Sequence, residues 1–348
     1  MPSVPVSSMR TALITILTSL LLFACTGEQQ EERTFTAERR QLGHTADRIE
    51  TNLDAIRREA SQLAEAVLQA KKNWQGPPDA ETVSRYRLDE SGVFYKHVKN
   101  GNSSLWVSGH ASLNDRVKNA VFWSEGAEAA LQEACRSHRA VVQAYFNSAD
   151  SLNRIYPPFD SLALFPAGVD ITTFNFYYFA DRQHNPERNA VWVPKPYVDP
   201  AGRGWMISAI APVYENDTLL GVVGLDVTIR TLAERFLTGA DLDTILVDHN
   251  GVVIAGREGL LSLLCLPPLQ DFKYFDSVRQ DTFRTEDYNL RKSRCRNIRS
   301  ATLPLLEGTS RMESTRTKGR KTIFLSEQIE GLDWTLIRVI QPDGREVS

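Results

Sequence analysis

Two carboxylates and a phenol give the first sign of chemistry. Tyr197 and Asp199 stand two residues apart in an extended run, so their side chains share one face of a sheet and can converge on one bound group. Asp226 interrupts the otherwise apolar strand Gly221-Val222-Val223-Gly224-Leu225-Asp226-Val227-Thr228. An ionised carboxylate buried there is costly unless a cation or hydrogen-bond donors satisfy it, and a ligand ammonium would do so. Local roles compete: Asp226 precedes a helical stretch whose amides it could cap, directly or with Thr228, and Asp199 opens an Asp-Pro turn. Catalytic constellations are missing. There is no Gly-x-Ser-x-Gly elbow, no His-Glu-x-x-His and no phosphate-cradling Gly loop, and His44, His97, His110, His138, His184 and His249 are scattered without metal-ligand spacing. These residues predict small-ligand binding without catalysis, metal or cofactor.

Cys25 is a candidate for covalent modification. Arg10 precedes an uncharged stretch, Thr11 to Ala24, which ends at Leu22-Phe23-Ala24-Cys25 and gives way to the polar Thr26-Gly27-Glu28-Gln29-Gln30-Glu31-Glu32-Arg33. The stretch falls short of the roughly 20 apolar residues of a spanning helix. Its ending resembles a lipobox, so residues 1–24 read as a lipoprotein signal peptide and Cys25 as the lipid-modified residue. No later segment is apolar for long enough to cross a membrane. The expected location is therefore the cell envelope, lipid-anchored and facing the periplasm; Thr26, where Asp would signal inner-membrane retention, favours the outer membrane. A formal net charge of −3 gives no electrostatic case for nucleic acid. Of the remaining cysteines, Cys265 and Cys295 both fall in the second half and form the expected disulfide pair in an oxidising compartment. The spacing equally allows all three, Cys135 included, to stay unpaired.

The elements that must position these residues can be read from periodicity. From Thr36 to about Trp74 apolar residues follow a heptad: Leu42, Ala46, Ile49, Leu53, Ile56, Ala60, Leu63, Val67 and Ala70. This predicts a long helix, stopped by Pro77 and Pro78, whose seam either zips against a second copy to make a homodimer or lies along the chain's own domains. Ser84 to Val107 reads as short strands between turns, Ser112 to about Phe146 as helix, and Asp150 to Pro158 as a turn into a loop. Strand-like runs follow at Thr173–Ala180, Ala190–Val198, Gly204–Tyr214 and Leu219–Val227. Turns at Asp199-Pro200-Ala201-Gly202 and Glu215-Asn216-Asp217 separate them, which predicts an antiparallel meander closed by a helix, Ile229 to Leu237. The pattern partly repeats, with a hairpin turning at Asn250-Gly251 and strands Lys321–Glu327 and Trp334–Ile340 around Gly331. The fold class is α+β: a long N-terminal helix and two tandem modules with antiparallel sheets. The boundaries are 25–35 for a polar tether, 36–75 for the helix, 76–238 and 239–342 for the modules, and 343–348 for a tail.

Three segments carry a resemblance. Pro196-Tyr197-Val198-Asp199-Pro200-Ala201-Gly202-Arg203-Gly204-Trp205, Ala211-Pro212-Val213-Tyr214 and Gly221 to Thr228 resemble the core of the membrane-distal module in double Cache domains, the PAS-like extracytoplasmic sensors. The hairpin Val247-Asp248-His249-Asn250-Gly251 and the strand after Gly331-Leu332-Asp333-Trp334 resemble the membrane-proximal module. The likeness covers roughly Thr36 to Pro342. It implies a sensor whose distal module binds an amino acid, an amine or another small metabolite, and which hands its signal to an unknown partner protein. In amino-acid-binding members the matching Tyr-x-Asp and later Asp hold the amine, which implies that role for Tyr197, Asp199 and Asp226. An upstream Tyr, Arg and Trp hold the rest of the ligand. Here Tyr177 and Arg182 have compatible spacing, but His184 replaces the Trp, and Trp192 further on would have to supply the stacking wall; core packing is the rival role for Tyr177 and Trp192, and a solvated loop position the favoured one for Arg182. Arg154, in Asn153-Arg154-Ile155-Tyr156-Pro157, matches a feature near the pocket, with a structural salt bridge as the rival role. The basic run Arg291-Lys292-Ser293-Arg294-Cys295-Arg296 either meets lipid headgroups or forms a solvated helix face. The rival reading of the whole chain is a scaffold lipoprotein with an empty pocket, acting through its helix.

Overall fold

Helix α1 runs from Val6 to Asn73, and its heptad explains how it is held. Leu42, Ala46, Ile49, Leu53, Ile56, Ala60, Leu63 and Val67 are all buried, in one core with residues from both sheets. The seam therefore lies along the chain's own domains. With Ile207, Val223 and Trp334 packed on the seam, a second copy would have to meet the helix through its other faces. The computed structural model describes residues 6–199, 203–267 and 285–342, side chains before Phe35 and at residues 240, 285 and 286 excepted. Lipidation at Cys25, the turn residues Pro200 to Gly202 and the tail 343–348 lie outside the described residues; the backbone of the expected tether, 25–35, is part of α1. Among the described residues no helix is long and apolar enough to cross a membrane.

The first module is a nine-stranded antiparallel sheet made of β1 (Tyr86–Leu88), β2 (Phe94–Lys96), β3 (Ser104–Val107), β4 (Val141–Ser148), β5 (Leu152–Tyr156), β6 (Val191–Trp192), β7 (Tyr197–Val198), β8 (Trp205–Glu215) and β9 (Thr218–Thr228). Its order is β1-β2-β3-β5-β4-β9-β8-β6, with β7 also pairing β8. The second module is a five-stranded sheet, β11-β10-β14-β13-β12. Its strands are β10 (Thr244–Val247), β11 (Val253–Ala255), β12 (Met312–Thr317), β13 (Arg320–Ile329) and β14 (Trp334–Ile340). Both sheets lay one face against α1. The hairpin turns with Gly251 at φ 90°, as an Asn-Gly turn requires. A disulfide joins Cys265 to Cys295, and Cys135 is free and half-buried.

Three expectations fail locally. The helical run from Ser112 ends at Ser137, after helices Asp115–Trp123 and Glu128–Ser137, and Val141 to Phe146 belongs to β4. Its β-branched and aromatic residues alternate between two buried faces, a pattern that periodicity alone does not separate from a buried helix. Leu152 to Tyr156 is the strand β5 and not a loop, for the same reason. Conversely, Thr173–Ala180 is not a strand but a 3-10 turn, Ile171–Thr173, and a helical turn, Asn175–Tyr178. The Asp170 side chain caps the first of these by accepting from Thr172 N–H, at 3.0 Å. Strand β12 went unread because its residues are mostly polar and lie at a sheet edge.

Candidate functional site

Period-two alternation sorts the first sheet into two chemistries. Ala144 and Phe146 of β4, Ile207 and Ala209 of β8, and Val223 and Leu225 of β9 face α1. Their neighbours Gln143, Tyr145 and Asn147, Ser208, and Asp226 face the other way, with Asn153 and Ile155 of β5 and Trp106 of β3. Over that face folds the segment from Phe165 to Phe176, and β7 brings Tyr197 and Asp199 to its rim. Together they enclose a cavity of ≈ 130 Å³ whose lining includes Trp106, Gln143, Tyr145, Asn153, Phe176, Tyr197, Asp199 and Asp226. For scale, a cavity of about 150 Å³ accommodates benzene. Gly224 shapes the floor: a Cβ there would overlap the ring of Tyr145, which lies directly across β9.

Asp226 is 1% exposed and Asp199 3%. Asp226 accepts from Gln143 Nε2 and from Ser208 Oγ, the latter at 2.5 Å, and Ser208 Oγ lies 2.6 Å from Tyr197 Oη. When Asp226 is ionised, Ser208 gives it its one proton and accepts from Tyr197, so the three form a directed relay ending on the carboxylate. Burial, and then the negative charge of Asp199, push the Asp226 carboxyl up to about 7. Asp199 also shapes its turn: its N–H donates to Gly204 O at 2.9 Å and its Oδ2 accepts from Arg203 N–H at 3.1 Å. The capping role considered for Asp226 belongs to Thr228, whose Oγ1 accepts from Thr231 N–H at 3.1 Å.

Four buried polar atoms in this wall have no hydrogen-bond partner: Trp106 Nε1, Gln143 Oε1, Tyr145 Oη and Asn153 Oδ1. Leaving such a group unsatisfied costs about 1–3 kcal/mol, so the wall is complementary to a polar guest. Among the described residues no Lys, Arg or His lines the cavity. The Arg203 guanidinium donates to Val142 O at 3.0 Å and draws Asp226 down, opposing burial.

The structure brings Tyr197, Asp199 and Asp226 together as their spacing predicts, and leaves the other three candidates outside the cavity. Tyr177 is buried behind it in an apolar layer with Ile171 and Val193. Arg182 is exposed on the loop beyond. Trp192 pairs with Ala209, so its side chain takes the α1 face and lines a groove with Glu50 and Gly331. Arg154, fully buried, also takes the α1 face. It meets Glu128 Oε1 at 2.9 Å, Ser124 Oγ and Ser103 Oγ each at 2.9 Å, and Val121 O at 2.7 Å, so its role is the structural salt bridge. In the basic run, Arg291 pairs with Glu307 at 3.6 Å. Sequence reasoning missed Trp106, Gln143, Tyr145, Asn147, Asn153 and Phe176. The signal for three of them was present as the alternation Gln143, Tyr145, Asn147, hidden by reading β4 as helix. Among the described residues no group of three His, Cys, Asp or Glu side chains could hold a metal ion.

No family model and no curated protein matches the chain. Solved structures do. The ligand-binding domain of the Pseudomonas aeruginosa amino acid chemoreceptor PctB, in complex with L-Arg, matches at TM-score 0.50 and 15% identity, over 87% of this chain and 93% of that one. The domain of the Campylobacter jejuni chemoreceptor Tlp3, with 4-methylisoleucine, matches at 0.51 and 11%, over 90% and 92%. That of the Pseudomonas fluorescens chemoreceptor CtaA, with L-isoleucine, matches at 0.51 and 17%, over 90% and 96%. At these identities the likeness shows the fold.

Proposed function

We propose that a chain with the fold of chemoreceptor ligand-binding domains serves here as an extracytoplasmic sensor for a small cationic ligand, held in the cavity of the first module. The observation that carries this is the pair of buried carboxylates, Asp199 and Asp226, on a wall with four unpartnered polar atoms and, among the described residues, no basic side chain. Asp226, buried beside a second carboxylate and held by the neutral donors Gln143 and Ser208, is best compensated by a guest that brings a positive charge. Trp106, Tyr145, Phe176 and Tyr197 supply ring faces to the same space, which suits an ammonium or alkylammonium group. An α-amino acid would bring a carboxylate that could meet only neutral donors such as Trp106 Nε1 and Tyr145 Oη among the described residues, so an amine fits better. The solved relatives named above bind amino acids, which supports a small metabolite at this place in the fold.

The chain's first residues support export and lipid attachment through Cys25, with the outer membrane as the favoured site and the periplasm as the compartment. Ligand-driven rearrangement of the loops over the cavity would reach α1 through the shared sheet, and a separate envelope or membrane protein would receive the signal. A scaffold lipoprotein with an unused pocket is the second reading, favoured by one observation: Asp226 already accepts from Gln143 and Ser208. Thermal-shift screening against amino acids, polyamines and quaternary amines separates the two. The sensor reading expects stabilisation by amines, abolished in Asp226→Ala; stabilisation that survives that substitution moves the site elsewhere, and an empty screen supports the scaffold.

A further inference from the structure

The far end of the second module carries a charge pattern that ligand binding does not use. Strands β12 and β13 form a hairpin whose tip holds Arg316, Lys318 and Arg320, all exposed. The helix Arg296–Leu306 packs on β12, and Asn297 Nδ2 donates to Arg316 O at 2.5 Å, which brings Arg294 and Arg296 to the same end. Cys295, between those two arginines, is fixed by the disulfide to Cys265. Arg291 and Arg311 spend their charge on Glu307 and Glu327. Among the described residues, Arg294, Arg296, Arg316, Lys318 and Arg320 have no carboxylate within salt-bridge distance.

The position of this cluster along α1 follows from two contacts. Glu50 accepts from Gly331 N–H at 3.0 Å, and Glu38 pairs with Arg338 at 2.5 Å, so β14 runs down α1 toward its start. Between these contacts α1 covers about 18 Å at ~1.5 Å per residue, which gives the strand an axial advance of about 2.6 Å per residue. Ile340 is two residues below Arg338 and pairs with Ile323, and Arg320 lies three residues further down β13. The tip therefore sits about 13 Å, or about nine helical residues at ~1.5 Å each, below Glu38. That is the level of the α1 residues just after Cys25, next to the apolar stretch.

We infer that this basic end is a docking surface for an anionic lipid bilayer, pressed onto the headgroups by the anchor proposed above. The inference rests on that anchor for its geometry, and on the unpaired cations for its chemistry. Clustered Lys and Arg at a membrane surface gain from anionic headgroups within a Debye length, and each charge adds about fivefold to partitioning. The consequence for signalling is a second module held at a fixed height and tilt on the bilayer.

The test uses the full chain added to vesicles of phosphatidylcholine alone or with phosphatidylglycerol. Flotation reads the anchor, and hydrogen exchange of the tip amides from Arg316 to Lys321 reads the surface. At low salt the tip exchanges about tenfold more slowly on the anionic vesicles, a protection that falls away near 0.5 M salt as the Debye length shrinks to about 4 Å. The triple substitution Arg316→Gln, Lys318→Gln and Arg320→Gln, all at exposed positions, removes the difference while the melting temperature holds. Equal exchange on both vesicles, or a difference that persists in the triple variant, overturns the inference. Failure to float on neutral vesicles together with tip protection on anionic ones overturns the anchor and leaves the surface standing.

Discussion

Replacing Asp226 by Asn should stabilise the unliganded protein while destroying its response to ligand. The side chain keeps its shape: the Asn oxygen still accepts from Gln143, and its amide can donate to Ser208. What changes is the charge. With its carboxyl raised from 3.8 to about 7 by burial and Asp199, Asp226 binds a proton more tightly folded than unfolded. The stabilising contribution is therefore complete below about pH 4 and lost as pH rises through 7. At about 1.36 kcal/mol per pKa unit the loss at pH 8 is on the order of 4 kcal/mol, an upper figure because relaxation and water entry reduce it. For a module of this size that corresponds to at most roughly 8–16 °C of melting temperature, at 2–4 °C per kcal/mol. Thermal melts of both proteins from pH 4 to 8 should diverge, with Asp226→Asn the more stable at the alkaline end and unresponsive to amines throughout. Parallel curves across this range would refute the claim that Asp226 is a strained, proton-holding carboxylate. An Asn variant that still binds would refute its role as the cation's partner.

Arg154→Met should lower stability by about 3 kcal/mol, because it leaves half-buried Glu128 with Lys96 as its one remaining cation, yet amine affinity of the folded protein should stay within about twofold. Urea unfolding with a binding titration checks both halves, and a large affinity loss would put Arg154 back at the pocket. Gly224→Ala should cost about 1–3 kcal/mol by forcing Tyr145 off the strand, and should weaken ligand binding as well; a neutral denaturant midpoint would contradict the close approach. Reducing the disulfide should destabilise the second module by about 3–4 kcal/mol, the chain-entropy value for its 30-residue separation, without changing the amine response of the first. A lost amine response on reduction would show the two modules to be coupled through that bond.

Much of the architecture was legible because its signals are local. The heptad from Leu42 to Val67 gave α1, the long runs around Asn216 gave β8 and β9, and Asn250-Gly251 gave the second hairpin. The carboxylate half of the site was legible for the same reason, since an acid within an apolar strand needs an explanation wherever the strand ends up. The rest of the wall was not. Gln143, Tyr145 and Asn147 show their shared face only once β4 is known to be a strand, and a short apolar run fits helix and strand equally. Trp192 and Arg154 lie outside the cavity through parity: each is one residue out of step with the cavity face, a distinction that only the register with Ala209 and with Phe146 supplies.

The central claim is that a positively charged guest replaces the proton on a buried acidic pair. Titration calorimetry of the protein with the strongest amine from the screen, at pH 6, 7 and 8 in buffers of different ionisation enthalpy, tests it directly. The account predicts affinity rising about tenfold from pH 6 to 8, as a carboxyl of pKa about 7 loses its proton, with proton release near pH 7. Affinity flat across this range, with no proton released, would contradict it.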